Sequence, residues 1–364
     1  MIFDRKLSNS VKGIAIIWML LHHLFAPEIL KEGIVDTAPF SFEKFSCLCG
    51  QLKICVAIFV FITAFGITRW FKKVQPQKDK LFGYSLSRCF KLECNFLIIY
   101  ILGLIGHILF GEGILEIYNV NDNCFVAVLY ALIDAMGLNT QFGTPSLNAT
   151  WWYMSIAHFM IFLIPVLVVI YERIGRLLPV IVLFVGIPHP HLNPYFFALV
   201  MGIFSAQDNF FERTYDVFSQ INSQSVKKFI RGLEFMGCVF AVLLLIYLRR
   251  QTNLTYYIDG IIPFFVCYAC MILKDIFSFL HSVLEFIGMY SMNIFFIHTF
   301  IYFYFFKEFI YWSKNWMLIF MTLLAVCLLV SVIIECIKKW SGFYSLIGTI
   351  SKRIEEGDQK LHNE

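Results

Sequence analysis

Lys12 and His23 are eleven residues apart, and all that lies between them is apolar except Gly13 and His22. At about 100° and 1.5 Å per residue, eleven steps make about three helical turns, so both side chains fall on nearly one helix face. Their separation is roughly half the hydrocarbon thickness of a bilayer. A titratable ring at such a depth is costly and is a functional candidate. Imidazole is the side chain suited to taking a proton from a hydroxyl near neutral pH. A histidine bridging two helices has the same composition, so the ring alone does not separate chemistry from packing. His22 lies about 80° off the shared face and reads as a packing or orienting residue.

Further cations stand where apolar runs end. Arg69 closes the run that begins at Phe59, and Arg88 and Lys91 precede the run 94–110. Fixed cations in such places can hold a phosphate-bearing donor, although cytosolic loops are basic for topological reasons too. Gly66 offers a point of close helix packing. His158 and His298 are the other histidines inside apolar runs, each able to bind an acceptor, orient His23 or bridge helices. Residues 290–293 (Tyr-Ser-Met-Asn), with Glu285 before them, make an unusually polar start to the run 283–306 and suggest a water-lined face.

The elements that must carry these residues are membrane helices. The chain has 364 residues, 59% hydrophobic and 15% charged, with 41 Phe. A soluble domain carries about 25% charged residues. The fold class is therefore all-α, a polytopic integral membrane protein. Ten spans fit the apolar lengths: 11–27, 52–71, 94–110, 150–171, 177–187, 194–206, 229–248, 256–273, 283–306 and 315–337. The fifth and sixth are short and need tilt, thinning or broken helices. The stretch 124–136 contains Asp134 and reads as an interfacial or re-entrant helix.

Basic residues at 69–91 (Lys78 among them), 173–176, 227–231 and 338–353 place both termini in the cytosol, with Arg249 and Arg250 against that count. The partner implied is the lipid bilayer of a plasma membrane, the inner membrane if the cell is bacterial. The net charge of +4 is small and gives no footprint for nucleic acid. Residues 1–340 form one transmembrane domain and 341–364 a charged cytosolic tail that frays at its end.

Several motifs read as structural. Eleven Cys sit mostly in apolar runs, and Cys267-Tyr-Ala-Cys270 reads as packing. No set of Cys and His has zinc-site spacing, so no metal is expected. The His189 and His191 pair sits among prolines and reads as a stiffened turn. Asn148-Ala-Thr150 matches the glycosylation pattern, a pattern that arises often by chance. Trp151, Trp152 and Tyr153 read as an interfacial aromatic anchor.

Taken together, these segments resemble the acyltransferase-3 family of membrane O-acyltransferases. Lys12-Gly-Ile-Ala-Ile-Ile-Trp-Met-Leu-Leu-His-His23 looks like the family's first span, with Lys where Arg is more usual. The segment Val56-Ala-Ile-Phe-Val-Phe-Ile-Thr-Ala-Phe-Gly-Ile-Thr-Arg69 is similar to its second. Tyr84-Ser-Leu-Ser-Arg-Cys-Phe-Lys91 resembles the basic start of its third. Trp152 to Pro165 keeps the family's Trp-to-Pro spacing, and Phe286 to Thr299 resembles its late Gly-x-x-Ser to His span. Ala157 and His158 stand where many members carry acids, a departure that bears on the acceptor.

The resemblance implies transfer of an acyl group, most often acetyl, from cytosolic acyl-coenzyme A to a hydroxyl of a cell-surface or lipid-linked glycan. It implies His23 as the catalytic base, with Lys12 supporting it or the donor. Arg69, Arg88 and Lys91 would engage the donor's phosphates. Apart from the resemblance, His298, His158 and Trp152 are taken as substrate-binding positions. The rival reading is a transporter or flippase of a lipid-linked sugar or small solute, which buried histidines and short spans also suit. A third reading is a non-catalytic component of an envelope assembly.

Overall fold

The computed structural model describes residues 3–28, 33–74, 80–110, 114–118, 123–217 and 223–361. Lys78, one of the loop cations, lies outside them. All regular elements among the described residues are helices. In chain order they begin with α1 (Arg5–Phe25), α2 (Phe42–Gln51), α3 (Cys55–Val74), α4 (Leu81–Phe110) and α5 (Ile114–Tyr118). There follow α6 (Cys124–Ala135), α7 (Asn139–Phe142), α8 (Trp152–Ile174), α9 (Leu177–Val182), α10 (Phe196–Gln207) and α11 (Phe210–Asp216). The last are α12 (Gln224–Gln251), α13 (Thr255–Ile276), α14 (Ser278–Met289), α15 (Ser291–Thr299), α16 (Lys307–Tyr311), α17 (Trp316–Trp340) and α18 (Phe343–Leu361). A π-helical turn, Phe300–Phe305, follows α15.

Six helical stretches among the described residues are long and apolar enough to cross a membrane: Phe42–Val74, Leu81–Phe110, Ala149–Ile174, Gln224–Gln251, Thr255–Ile276 and Trp316–Trp340. The chain is thus a multi-pass membrane protein. Two of the ten expected spans are corrected. The stretch 177–187 forms only the 6 residues of α9, and 194–206 the 12 of α10. At 1.5 Å per residue these reach about 9 and 18 Å, short of a core about 30 Å thick. Helix α10 is apolar for another reason: Phe197, Ala198, Leu199, Val200 and Ile203 are all buried. The expected span 283–306 is also broken, with α14 ending at Met289 and α15 starting at Ser291. Helix α1 has 21 residues, but Asn9, Lys12, His22 and His23 dilute its apolar content, and it is not among the six.

The chain divides into two units, Met1–Gln75 with Ile164–Ser291 and Pro76–Leu163 with Met292–Glu364. In the first, α1 lies against α14 at backbone contact. A Cβ on Gly13 would sit 2.1 Å from the Leu284 carbonyl oxygen, and one on Gly288 only 1.8 Å from that of Asn9. The Ser10 hydroxyl also lies 3.0 Å from His281 Nε2. Helix α10 approaches α3 equally closely, where a Cβ on Gly202 would stand 2.4 Å from the Phe61 carbonyl oxygen. Gly66, expected to serve that purpose, is exposed and would meet nothing within 4 Å. Small residues let backbones approach in this way.

In the second unit, α18 packs along α4 and Ser87 donates to Glu355 at 2.7 Å. Residues expected as a fraying tail are therefore helical as far as Leu361. Lys338 is buried and donates to Asn95, Asn293 and Glu335 at 3.0, 3.3 and 3.0 Å. Asn293, from the polar run at 290–293, completes this network by donating to Glu335 at 2.9 Å. Trp151 is corrected from interfacial anchor to core: it is wholly buried, and its indole N–H donates to the Phe296 carbonyl at 3.2 Å. Asn148 is likewise buried, and its side chain accepts from the Thr150 N–H and hydroxyl. It is not a glycosylation acceptor in this fold.

Candidate active site

Helix α1 is capped by Asp4, whose carboxylate accepts from the Leu7 N–H at 2.9 Å, the arrangement expected of an N-cap. Its other end turns at Ala26. There the Ser46 hydroxyl donates to the Phe25 carbonyl at 2.8 Å, fixing α2 against the helix terminus. The His22 ring reaches the Cys49 carbonyl through Nδ1 at 3.1 Å, which makes Nδ1 the protonated nitrogen. His22 is thus fixed to the end of α2. Its ring stands edge-on to His23, with centroids 5.2 Å apart. His23 is half-buried in the last turn, two residues before the helix ends. Lys12 is also half-buried, eleven residues earlier on the same helix.

At the opposite end of α1 lies a basic cavity of about 560 Å³. Arg5 comes from the first turn of α1, and Arg69, Lys72 and Lys73 from the last turns of α3. Trp70 and Asn209 complete the wall with Asp4. Arg69 pairs with Glu212 at 2.7 Å and reaches Asn209 at 3.4 Å. Glu212 also accepts from the Phe3 N–H at 3.2 Å. Lys72 donates to the Gln207 carbonyl and to Asn209 at 2.8 and 3.1 Å. Asn209 has φ +50°, a left-handed conformation that Asn tolerates better than most residues. That turn between α10 and α11 brings the amide oxygen within reach of both cations.

Four cations around one cavity, two of them exposed lysines, suit a polyanionic phosphate group. The cavity and His23 flank α1: Arg5 and His23 are eighteen residues apart, about 27 Å of helix. Lys12 lies between them. Of the positions expected from sequence, Lys12, His23 and Arg69 belong to this unit. Arg5, Lys72, Lys73, Trp70 and Asn209 were not singled out as site residues. The basic run Arg69 to Lys73 was a visible signal, but it had a topological explanation; Asn209 left no local trace.

The remaining expected residues belong to the other unit. Arg88 is half-buried in the first half of α4 and faces the charge of Glu355, while Lys91 is exposed. His158 is buried and ion-paired with Glu93 of α4, with the Cys89 thiol within hydrogen-bonding reach. The acid that partners His158 thus comes from a different helix. His298 is wholly buried. Its Nδ1 lies 2.7 Å from the Phe295 carbonyl and 3.2 Å from that of Ile294, and its Nε2 lies 3.3 Å from the Thr299 hydroxyl. It faces its own helix and a polar pair formed by Thr299 and Thr150 at 3.1 Å. Trp152 is half-buried at the start of α8.

Among the described residues no group of three or more His, Cys, Asp and Glu could hold a metal ion. Cys267 and Cys270 are both free and fully buried in α13. The chain matches the family model described as an acyltransferase domain over residues 8–336. No curated protein and no solved structure matches it.

Proposed function

Because this chain belongs to the acyltransferase-3 family, we propose that it is a membrane O-acyltransferase that moves an acyl group, acetyl in the first instance, from acyl-coenzyme A to a hydroxyl of a cell-surface or lipid-linked glycan. The bacterial inner membrane is the setting this reading requires. The observation that carries it is the layout of α1, with a four-cation cavity at one end and a half-buried histidine at the other.

The donor is a thioester at the end of a long arm whose far end carries phosphates. Arg5, Arg69, Lys72 and Lys73 would hold those phosphates. The arm would run along α1 past Lys12 toward His23. His23 then takes the proton of the acceptor hydroxyl as its oxygen attacks the thioester carbonyl. The new acyl–oxygen bond forms, the acyl–sulfur bond breaks, and the imidazolium returns its proton to the departing thiolate. General-base catalysis of this kind contributes about 10²–10⁴-fold. His22, anchored on Cys49, orients its neighbour. Arg88 and Lys91 remain donor-binding positions on the family resemblance alone, and His158, His298 and Trp152 acceptor positions on their place in the sequence alone.

The test uses the full chain in lipid nanodiscs with acetyl-coenzyme A and surface polysaccharide stripped of its esters by mild alkali. Wild-type protein should release free coenzyme A only when polysaccharide is present, and the product should gain acetyl mass. His23→Ala should lose that transfer by at least about 10²-fold while eluting as a folded monodisperse species. Full activity in the variant would remove His23 from the chemistry.

A further inference from the structure

The unit formed by Pro76–Leu163 and Met292–Glu364 holds a second cavity, of about 570 Å³, which differs in kind from the basic one. That volume lies within the range of small-molecule sites, about 300–1,000 Å³. Its walls are largely aromatic. His107 and Phe110 come from the last turn of α4, and Phe303, Tyr304 and Phe305 from the π-helical turn. The His107 ring stands 5.1 Å from Phe305 and 5.5 Å from Tyr304, both edge-on. Phe305 stacks on Phe300 at 5.5 Å.

This wall is built into the backbone. A Cβ on Gly103 would come within 2.7 Å of the Phe300 ring, and one on Gly106 within 2.6 Å of Phe305. The two glycines of α4 make room for the stacked pair. Single turns of π-helix are rare and occur frequently at functional sites.

The polar side of the cavity rests on Asp134, which is fully buried. Its carboxylate accepts from the Ser146 hydroxyl at 2.7 Å, the Leu147 N–H at 2.8 Å and the Tyr118 hydroxyl at 2.5 Å. Tyr118 in turn lies 3.2 Å from the Tyr100 hydroxyl. Burial pushes the Asp134 carboxyl above its ordinary range, and the bonds from Tyr118, Leu147 and Ser146 pull against that. Ser146 and Leu147 both line the cavity. Ser146 also accepts from the Asn148 N–H at 3.2 Å. A hydroxyl has two acceptor lone pairs, so Ser146 has capacity for one further donor. The Tyr304 hydroxyl is held by the Ala149 backbone at the same rim.

We infer that this cavity is a sugar-binding subsite that takes a pyranose ring of the glycan; the assignment rests on the acyl-transfer reading above. A sugar ring has C–H faces that suit the negative faces of aromatic rings, and hydroxyl edges that need hydrogen-bond partners. The cavity supplies both. An alkyl chain in the same place would leave the open acceptor position of Ser146 desolvated and unused, at a cost in free energy. The position along α4 fits as well. His107 is nineteen residues beyond Arg88, about 28 Å of helix, so the cavity lies at the end of α4 away from its basic residues.

Two readouts on the full chain in nanodiscs test the assignment: equilibrium binding of fluorescently labelled, ester-stripped polysaccharide, and the acceptor and donor concentrations needed for half-maximal transfer. Ser146→Ala and Phe305→Leu should each weaken polysaccharide binding about five- to tenfold and raise the half-saturating acceptor concentration equally, with the donor requirement unchanged. Ile117→Phe narrows the cavity from another wall without touching the Asp134 bonds. It should give the same loss if the first two variants fail to fold. Binding that is undetectable in wild type, or equal in wild type and every folded variant, overturns the subsite. Binding that responds to the variants in a wild-type protein that transfers nothing upholds the subsite and overturns the reaction.

Discussion

The two cavities use a carboxylate in opposite ways. In the first unit Glu212 holds Arg69 at the mouth of a basic cavity, and both side chains keep some access to water, 27% for Arg69 and 15% for Glu212. In the second unit Asp134 has none, and three donors converge on it. The first cavity is therefore defined by charge carried on the ends of α1 and α3, where side chains remain adjustable. The second is defined by shape, with rings seated on glycines and a hydroxyl fixed by a buried acid. A flexible polyanion can be gathered by charge. A rigid ring has to be met by a preformed wall.

The largest expected effect removes the ground on which the first cavity stands. Gly288→Ala places a methyl group where the Asn9 carbonyl already is, so α1 and α14 must separate. Overpacking of this kind typically costs about 1–3 kcal/mol and occasionally more. The expected outcome is loss of monodisperse protein on size-exclusion chromatography. Gly66→Ala, which would meet nothing, should behave as wild type. Equal behaviour of the two variants would mean that α1 is not held by this contact.

The next effect sets the two carboxylates against each other. Asp134→Asn leaves at least one buried donor facing an amide, and about 1–3 kcal/mol of stability should be lost. Glu212→Gln breaks a partly exposed pair worth about 0–1 kcal/mol. Thermal unfolding in nanodiscs should therefore show a clear fall for Asp134→Asn and almost none for Glu212→Gln. The reverse order would erase the distinction drawn between the cavities.

The smallest effect concerns the donor. Arg69→Gln and Lys72→Gln each remove one charge from a cavity open to water, one half-buried and one exposed, so acetyl-coenzyme A binding should weaken only several-fold. Because both cations keep access to water, that difference should shrink as salt rises toward 1 M, where the screening length falls to about 3 Å. Calorimetric titration at two salt concentrations checks it. A salt-independent loss would mean that these side chains shape the cavity instead of supplying charge.

Some of this was legible from local pattern. The Lys12 and His23 spacing was enough to put both on one helix, and the apolar lengths identified the long helices α3, α4, α8, α12, α13 and α17. The Cys267 and Cys270 pair is packed as free buried thiols and the chain turns at His189, as their surroundings in sequence suggested. Other readings failed because composition does not say what lies alongside. The run 194–206 is as apolar as a span because other helices enclose it, not lipid. Gly66 and Gly202 are equally small, yet only Gly202 meets a facing backbone. Trp151 and Trp152 are neighbours in sequence, but one is wholly buried and the other half-buried.

The sequence by itself determined that this is an all-helical membrane protein of the acyltransferase-3 family, with a histidine eleven residues above a lysine. Periodicity, apolar length and short motifs are read one segment at a time, so they suffice for that. Tertiary structure alone decided which charges share a cavity, which acid partners His158, and that Asp134 lies beneath a serine at an aromatic wall. Those outcomes join residues tens to hundreds of positions apart, and their geometry depends on backbone approach at glycines, on a left-handed turn at Asn209, and on which side chains burial leaves in need of a partner.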